Sequence, residues 1–264
     1  YQLKAVYHDL SGNMQLAVEE LDKARELAAG DNNYGAVNIS CGIKTWIAYD
    51  WGNYELFLKS AKERFDYSAE HKLLPELLNP LFYLFCQGLG DVKQGRLDLA
   101  KAKLAEIDKA RSKEKGQDSL AFLDNLYYFL MTGVSLSEGR ATEAVAAYGK
   151  IHRTAVVIGE TYTLIENNIP FSSDVPARSY ALEGKRDQAI AEYERLTSAD
   201  PQARQQRLIH PFSRLRLARL YELNGDRAKA KAQYEKLAEI WKNADQGLAE
   251  VGEAKQRLAA LKGQ

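Results

Sequence analysis

The sequence predicts an all-α protein built from about six helix–turn–helix repeats and one further helix, and three recurring features predict it. A glycine returns at intervals of 40 to 45 residues. Five residues after the glycine stands an alanine in all repeats but one, and nine and twelve residues after it the side chains are mostly apolar or aromatic. Self-similarity at such a period is the signature of repeat architectures. The six glycines are Gly12, Gly52, Gly95, Gly139, Gly184 and Gly225.

Each recurring position has a physical reason. A glycine just past a helical run enters the left-handed conformation without a Cβ penalty, so it ends the first helix and turns the chain. Asn13, Asn53 and Asp226 follow three of these glycines, and such side chains can cap the amides of the next helix. The alanine lets two helix backbones approach. The residues four and seven positions after it lie on the same helical face, where they can pack against the next hairpin.

The repeats predicted from this pattern cover about 1–30, 34–70, 79–112, 118–156, 174–201 and 211–242. The second is the weakest match, with Phe57 in the alanine position and Arg64 in an apolar one. Residues 247–262 read as a final amphipathic helix that caps the array. Its predicted apolar face consists of Val251, Ala254, Leu258 and Leu261.

Residues 157–173 interrupt the pattern. Pro170, Pro176 just beyond this range, and several β-branched residues disfavour a long regular helix in this part of the chain, so we expect an irregular connector. Its role stays open between a plain inserted loop and a loop that contacts a partner. Pro176 fits the first turn of a short helix capped by Ser173 or Asp174.

Composition excludes some classes of protein. The 36 basic and 36 acidic residues balance, so no overall field attracts the chain to nucleic acid or to an anionic membrane. No apolar run reaches the 18 residues of a membrane-spanning helix. The two cysteines, Cys41 and Cys86, form no disulfide framework and leave the compartment open between cytoplasm and periplasm. Because the sequence starts at Tyr1 without an initiator methionine, we expect a processed product or a fragment.

The pattern resembles the tetratricopeptide repeat (TPR). The best matches are "RSYALEGKRDQAIAEYERLTSADP" at 178–201, which closes on Pro201, and "LARLYELNGDRAKAKAQYEKL" at 217–237. The resemblance implies a single right-handed α-solenoid over residues 1–264. The spacings exceed the family's usual 34 residues, which implies helices or connectors of more than standard length. The stretch from His210 onward is similar to the C-terminal part of many bacterial TPR proteins.

The resemblance also implies a binding surface, because TPR arrays present their first helices on a concave face. Counting back from each glycine places aromatic residues in the middle of that face and charged residues toward its C-terminal end. An alternative stays open, in which longer helices turn the rings into the core. The candidate partner-binding residues are Trp46, Tyr49, Phe82, Phe85, Leu89, Leu126, Phe129, Arg178, Phe212, Arg219 and Glu222.

Arg178 and Arg219 share one position in consecutive repeats. Aligned as a basic ladder, they could grip a carboxylate or phosphate. The alternative is that they pair with nearby acids such as Glu222.

The sequence offers no recognisable catalytic, metal or cofactor motif. The four histidines fall in different repeats without an HExxH pattern, and there is no GxSxG or Walker loop. The glycine-rich "GLGDVKQG" at 88–95 lies within a predicted helix and not after a strand. We therefore expect no catalytic residues, no metal and no cofactor, and a protein that is not an enzyme.

The expected function is a non-catalytic scaffold or adaptor that binds a partner peptide or protein through the concave face. A second hypothesis makes the chain the C-terminal regulatory or sensor region of a larger bacterial kinase, cyclase or transcription regulator. A third, nucleic-acid binding through the arginine-rich stretch at 203–220, is disfavoured by the neutral net charge, so no nucleic-acid partner is expected. End-to-end self-association of solenoid units stays open.

Overall fold

The structure is a computed structural model that describes residues 1–151, 170–198 and 208–263. All regular secondary structure within these ranges is helical, which confirms the predicted all-α class. The first range contains α1 Gln2–Leu10, α2 Met14–Gly30, α3 Tyr34–Asp50, α4 Tyr54–Glu70, α5 Leu78–Lys93, α6 Leu97–Arg111, α7 Gln117–Ser137 and α8 Ala141–Tyr148. The later ranges contain α9 Pro170–Ser173, α10 Val175–Leu182, α11 Arg186–Thr197, α12 Pro211–Leu223, α13 Arg227–Ile240 and α14 Ala249–Lys262.

The chain forms two compact units. One is Asp22–Thr163, and the other combines Tyr1–Leu21 with Leu164–Gln264. In the first unit α3 packs on α4, α4 on α5, α5 on α6, α6 on α7 and α7 on α8. In the second unit α10 to α14 likewise pack each on the next. This consecutive packing of helices is typical of a solenoid of repeats. The repeat limits within one array stay a prediction.

The repeat glycines sit in the turns between paired helices. All six have positive φ, from 71° at Gly52 to 80° at Gly225, which is the left-handed conformation predicted for them. The following polar residue caps the next helix in two of the predicted cases. The Leu56 N–H donates to Oδ1 of Asn53 at 3.1 Å, and the Lys229 N–H donates to Oδ1 of Asp226 at 3.1 Å.

The alanine position is fully buried in every repeat. In the second repeat Phe57 fills it, and its ring centroid lies 5.1 Å from that of Tyr49. Arg64, the other exception, is buried as well. Its Nε donates to Oδ1 of Asn38 at 3.2 Å, and its guanidinium lies 4.3 Å from the ring centroid of Phe82. A buried cation of this kind needs such partners to offset the loss of hydration.

Helix α5 includes the glycine-rich stretch from Gly88 as far as Lys93, where the helix ends. Gly88 faces α7 at close range, since a Cβ atom there would lie 2.7 Å from Cδ2 of Leu130. The glycine therefore allows two helices to approach, which is a packing role and not a phosphate-binding one.

The predicted connector lies mostly outside the described residues, as does Pro201. Of the connector, residues 170–173 form the short helix α9. Pro176 stands in the first turn of α10, and Asp174 occupies the N-cap position. Of the two predicted capping residues, Ser173 and Asp174, the structure therefore has Asp174 at the N-cap, but the expected capping hydrogen bond from a helix amide to its side chain is not formed.

Helix α14 packs on α13 and α12. Val251, Ala254 and Leu258 of its predicted apolar face are buried, and Leu261 is partly exposed. The polar side chains of α14 therefore remain on its other faces.

Candidate partner-binding face

The aromatic residues predicted to line a groove are buried. Trp46 is 1% exposed and Phe85 2%, and their ring centroids lie 6.4 Å apart with the rings nearly edge to face. Tyr49 packs on both Trp46 and Phe57, and Phe82 packs on Phe85. Side chains without exposed surface cannot serve as a docking face in this arrangement. For these rings the alternative is correct, and they belong to the core.

The remaining apolar candidates divide between core and partly exposed positions. Leu89 and Leu126 are buried in the same unit as Trp46, whereas Phe129 is partly exposed. Phe212, in the other unit, is buried against Trp241 with ring centroids 6.2 Å apart. The predicted aromatic groove is therefore corrected at every position except Phe129.

The charged candidates have a different environment. Arg178, Arg219 and Glu222 are all partly exposed, and each lies in one of three ion-pair clusters that together link α10, α12 and α14. We call these clusters the charged face, which consists of Asp174, Arg178, Arg216, Arg219, Glu222, Glu253 and Arg257.

Asp174 is the centre of the charged face. Its carboxylate is completely buried and accepts a hydrogen bond from Nε of Arg178 at 2.7 Å and one from the hydroxyl of Tyr193 at 2.9 Å. Nη1 of Arg216 also donates to it. Burial by itself raises the pKa of Asp174, but the two guanidiniums and the Tyr193 hydroxyl stabilise the anion more, so the pKa is lowered.

Arg219 connects α12 to α14. Its Nε donates to Oε1 of Glu253 at 2.7 Å, and its Nη2 donates to the other carboxylate oxygen. Two parallel hydrogen bonds of this kind fix geometry as well as charge. The bond from Arg219 lowers the pKa of Glu253, and the same pair raises the pKa of Arg219.

Glu222 lies on α12, three residues after Arg219. Its Oε2 accepts a hydrogen bond from the Tyr234 hydroxyl at 2.8 Å and lies 3.7 Å from Nη1 of Arg257. Burial, followed by the hydrogen bond to Glu222, raises the pKa of Tyr234. Arg257 is the most exposed cation of the face, with 53% of its side chain accessible.

The two arginines of the predicted ladder, Arg178 and Arg219, are both engaged in ion pairs within the chain. Each of the two arginines is paired with an acid, Arg178 with Asp174 and Arg219 with Glu253, so the alternative of local pairing describes them. The acids differ from the one predicted, because Glu222 contacts Arg257 instead.

The comparison with known families gives a match in the segment that contains α12 and α13. The family model of the tetratricopeptide repeat matches residues 212–244. Residues 212–244, which contain α12 from Phe212 onward and the whole of α13, are therefore similar to a tetratricopeptide repeat. No curated protein matches the chain.

The TPR at 212–244 also explains the arginine-rich stretch, of which residues 208–220 are described. Arg214 donates to Oε1 of Gln233 at 3.2 Å and to the carbonyl of Thr197 at 3.3 Å. With Arg216 bound to Asp174 and Arg219 to Glu253, the arginines of α12 connect this TPR to the helices on either side. The absence of a nucleic-acid partner stays a prediction.

Sequence reasoning missed four members of the charged face, namely Asp174, Arg216, Glu253 and Arg257. Asp174 was considered only as one of two possible caps, with Ser173, of the helix that contains Pro176. A signal for Arg216 exists, since it stands three residues before Arg219 and therefore on the same side of α12. No signal links Glu253 or Arg257 to α12, because the pairing depends on how α14 packs.

Two further results concern the described residues alone. No described helix combines the length and the apolarity that crossing a bilayer requires. Within the same residues, no three histidine, cysteine, aspartate or glutamate side chains converge as metal ligands would. Both cysteines are buried thiols, and burial raises the pKa of Cys86 to about 12.

Proposed function

We propose that the protein is a non-catalytic interaction module that binds a protein partner through the charged face of α10, α12 and α14. The general role of TPR folds in protein–protein interaction supports this proposal. The observation that carries it is the contrast between buried aromatics and an ordered set of charges on α10, α12 and α14, all of which except the buried Asp174 are at least partly exposed. The sequence, which lacks a recognisable catalytic motif, supports the non-catalytic part.

The charge of the face favours an acidic partner segment. Four guanidiniums, those of Arg178, Arg216, Arg219 and Arg257, oppose three carboxylates, those of Asp174, Glu222 and Glu253. The excess cation lies toward solvent, since Arg219 and Arg257 are the most exposed members. Guanidinium groups bind carboxylates with two aligned hydrogen bonds, so they suit an extended segment with Asp or Glu side chains.

The ion pairs also hold the face in one geometry before binding. Arg219 is fixed by two bonds to Glu253, and Arg178 by its bond to the buried Asp174. Long side chains that are already ordered lose less rotamer entropy when a partner binds. The face therefore suits recognition better than a set of freely moving surface arginines would.

The test compares binding by the intact chain with binding by charge-reversed variants. A partner is captured from lysate, identified, purified and titrated against wild-type protein and against Arg257→Glu. We expect the reversal to weaken binding by about tenfold or more, which equals ~1.4 kcal/mol, and to reduce the salt dependence of the association rate.

Two control variants separate binding from folding. Lys236→Glu reverses an exposed charge on α13, outside the charged face, and is expected to leave affinity unchanged. The double variant Arg219→Glu with Glu253→Arg keeps an ion pair between α12 and α14 but exchanges its ends. We expect it to fold and to bind more weakly. Equal affinity for all four proteins, or a catalytic activity abolished by a surface substitution, would refute the proposal.

A further inference from the structure

The turn between α1 and α2 contacts the segment that follows α13. We call residues 241–245 the post-α13 turn. Both partners belong to the same compact unit, although they lie about 230 residues apart in sequence. The remaining five repeat glycines show what an ordinary turn looks like, so this turn can be compared with them.

Two hydrogen bonds join the partners, and both involve Asp245. The Asp245 backbone N–H donates to the carbonyl oxygen of Gly12 at 2.9 Å. Its carboxylate Oδ2 accepts from the backbone N–H of Gln15, in the first turn of α2, at 3.0 Å. A carboxylate in this place satisfies an amide that has no partner within the helix and interacts favourably with the helix dipole.

This capping arrangement differs from that of the other helices. At α3, α4 and α13 the acceptor is the residue at the start of the helix itself, which is Asn33, Asn53 or Asp226. At α2 the acceptor comes from the far end of the unit. The first turn of α2 is therefore completed by a tertiary contact.

The packing beside these bonds leaves no room for a side chain at Gly12. A Cβ atom there would lie 2.7 Å from Cβ of Ala244 and 3.1 Å from Cδ1 of Trp241. Trp241 is itself 1% exposed. By contrast, a Cβ atom at Gly139 or Gly225 would meet nothing within 4 Å, although both glycines have nearly the same φ as Gly12.

We propose that the post-α13 turn is a docking site whose occupant is the turn between α1 and α2 of the same chain, and that Asp245 holds it there. The site recognises three features together: a backbone carbonyl at a turn, a glycine that allows close approach, and the free amides of a helix start. The inference goes beyond the proposed function, since it concerns a surface separate from the charged face. It implies that residues 1–21 and the TPR at 212–244 stabilise one another.

The test measures amide hydrogen exchange in Asp245→Ala and Gly12→Ala, with Gly139→Ala as the control. Gly12→Ala combines the unfavourable positive φ with the clash against Ala244, whereas Gly139→Ala has the positive φ alone. We expect the first two variants to accelerate exchange by about tenfold in residues 1–21 and in residues 241–245 together. We expect Gly139→Ala to leave both segments at the wild-type rate.

A milder variant keeps the test valid if Asp245→Ala unfolds more of the chain. Asp245→Asn retains a side-chain oxygen for the Gln15 amide, so its exchange is expected to fall between wild type and Asp245→Ala. The proposal is overturned if Gly12→Ala accelerates exchange no more than Gly139→Ala does. It is also overturned if protection of residues 1–21 is lost on dilution as a dimer dissociates, because the occupant would then be a second copy.

Discussion

Replacing Asp174 by asparagine should strongly destabilise the compact unit that contains α10 to α14. The carboxylate is completely buried and receives donors from Arg178, Arg216 and Tyr193. Asparagine has nearly the same shape but no charge, so both guanidiniums would remain close together without their shared anion. Their mutual repulsion then adds to the loss of the charged hydrogen bonds.

The magnitude follows from the number and kind of these bonds. A hydrogen bond to a charged group contributes about 1.5–3 kcal/mol, and breaking a buried ion pair by removing one partner costs about 3–5 kcal/mol. The Arg178 and Arg216 side chains are 30% and 27% exposed, so water screens part of the loss. We therefore expect a loss near the lower end, about 3 kcal/mol in the free energy of unfolding.

The assay is urea denaturation at neutral pH, with Tyr193→Phe as the matched variant. Tyr193→Phe removes one donor to the carboxylate and leaves the two ion pairs, so we expect it to cost about 1.5 kcal/mol, the lower end for a hydrogen bond to a charged group. The urea midpoint should fall further for Asp174→Asn, with an unchanged slope. An Asp174→Asn variant no less stable than Tyr193→Phe would show that Asp174 is not the centre of the network.

The pH dependence of stability gives a second test of Asp174. The pKa of Asp174 is lowered in the folded protein from a reference of 3.8, so its contribution is complete above pH 3.8 and is lost as the pH falls through the folded value. Wild-type stability should therefore decline faster than that of Asp174→Asn below pH 3.8. At higher pH the stability difference between the two proteins should stay constant.

Three further predictions concern other parts of the core. Burial lowers the pKa of His210 from 6.5 to about 3, so the free energy of unfolding should fall by about 1.4 kcal/mol per pH unit below pH 6.5. His210→Asn keeps an acceptor for the first turn of α12 and should remove this pH dependence in denaturation curves. Gly88→Ala should lower the free energy of unfolding by about 1–3 kcal/mol, because the new Cβ meets the buried Leu130. Gly252→Ala, where the new Cβ meets nothing within 4 Å, should stabilise the protein slightly, and thermal melts compare the two variants. Trp46→Ala should cost about 3–5 kcal/mol by urea titration, and a loss below 1 kcal/mol would contradict its place in the core.

The local features of the fold were predictable because they depend on residues close together in sequence. A glycine at a helix end has few alternatives to the left-handed conformation, and Gly225 adopts it with φ of 80°. Ala230, five residues later, is fully buried at the place where two helices approach. Both positions are determined by one hairpin and need no knowledge of its neighbours.

The binding face was not predictable in the same way, because it depends on which helix covers which side. Trp46 and Arg219 were assigned to one concave surface by the same counting rule. Trp46 is buried against Phe85 of a neighbouring helix, whereas Arg219 stays partly exposed and reaches Glu253 on α14. A helical pattern shows that a face is apolar but not whether a core or a partner covers it.

Asp174 illustrates how local sequence signals and the packing of helices act on one residue. Its place before Pro176 predicts a helix cap, and the backbone does begin α10 there. The side chain turns away from the helix amides because two guanidiniums and a phenol offer it stronger, charge-assisted partners. As a result, α10, α11 and α12 are joined at one buried anion. A partner that binds the charged face therefore meets arginines whose positions are set by the interior of the unit, and substitutions at Asp174 should change affinity as well as stability.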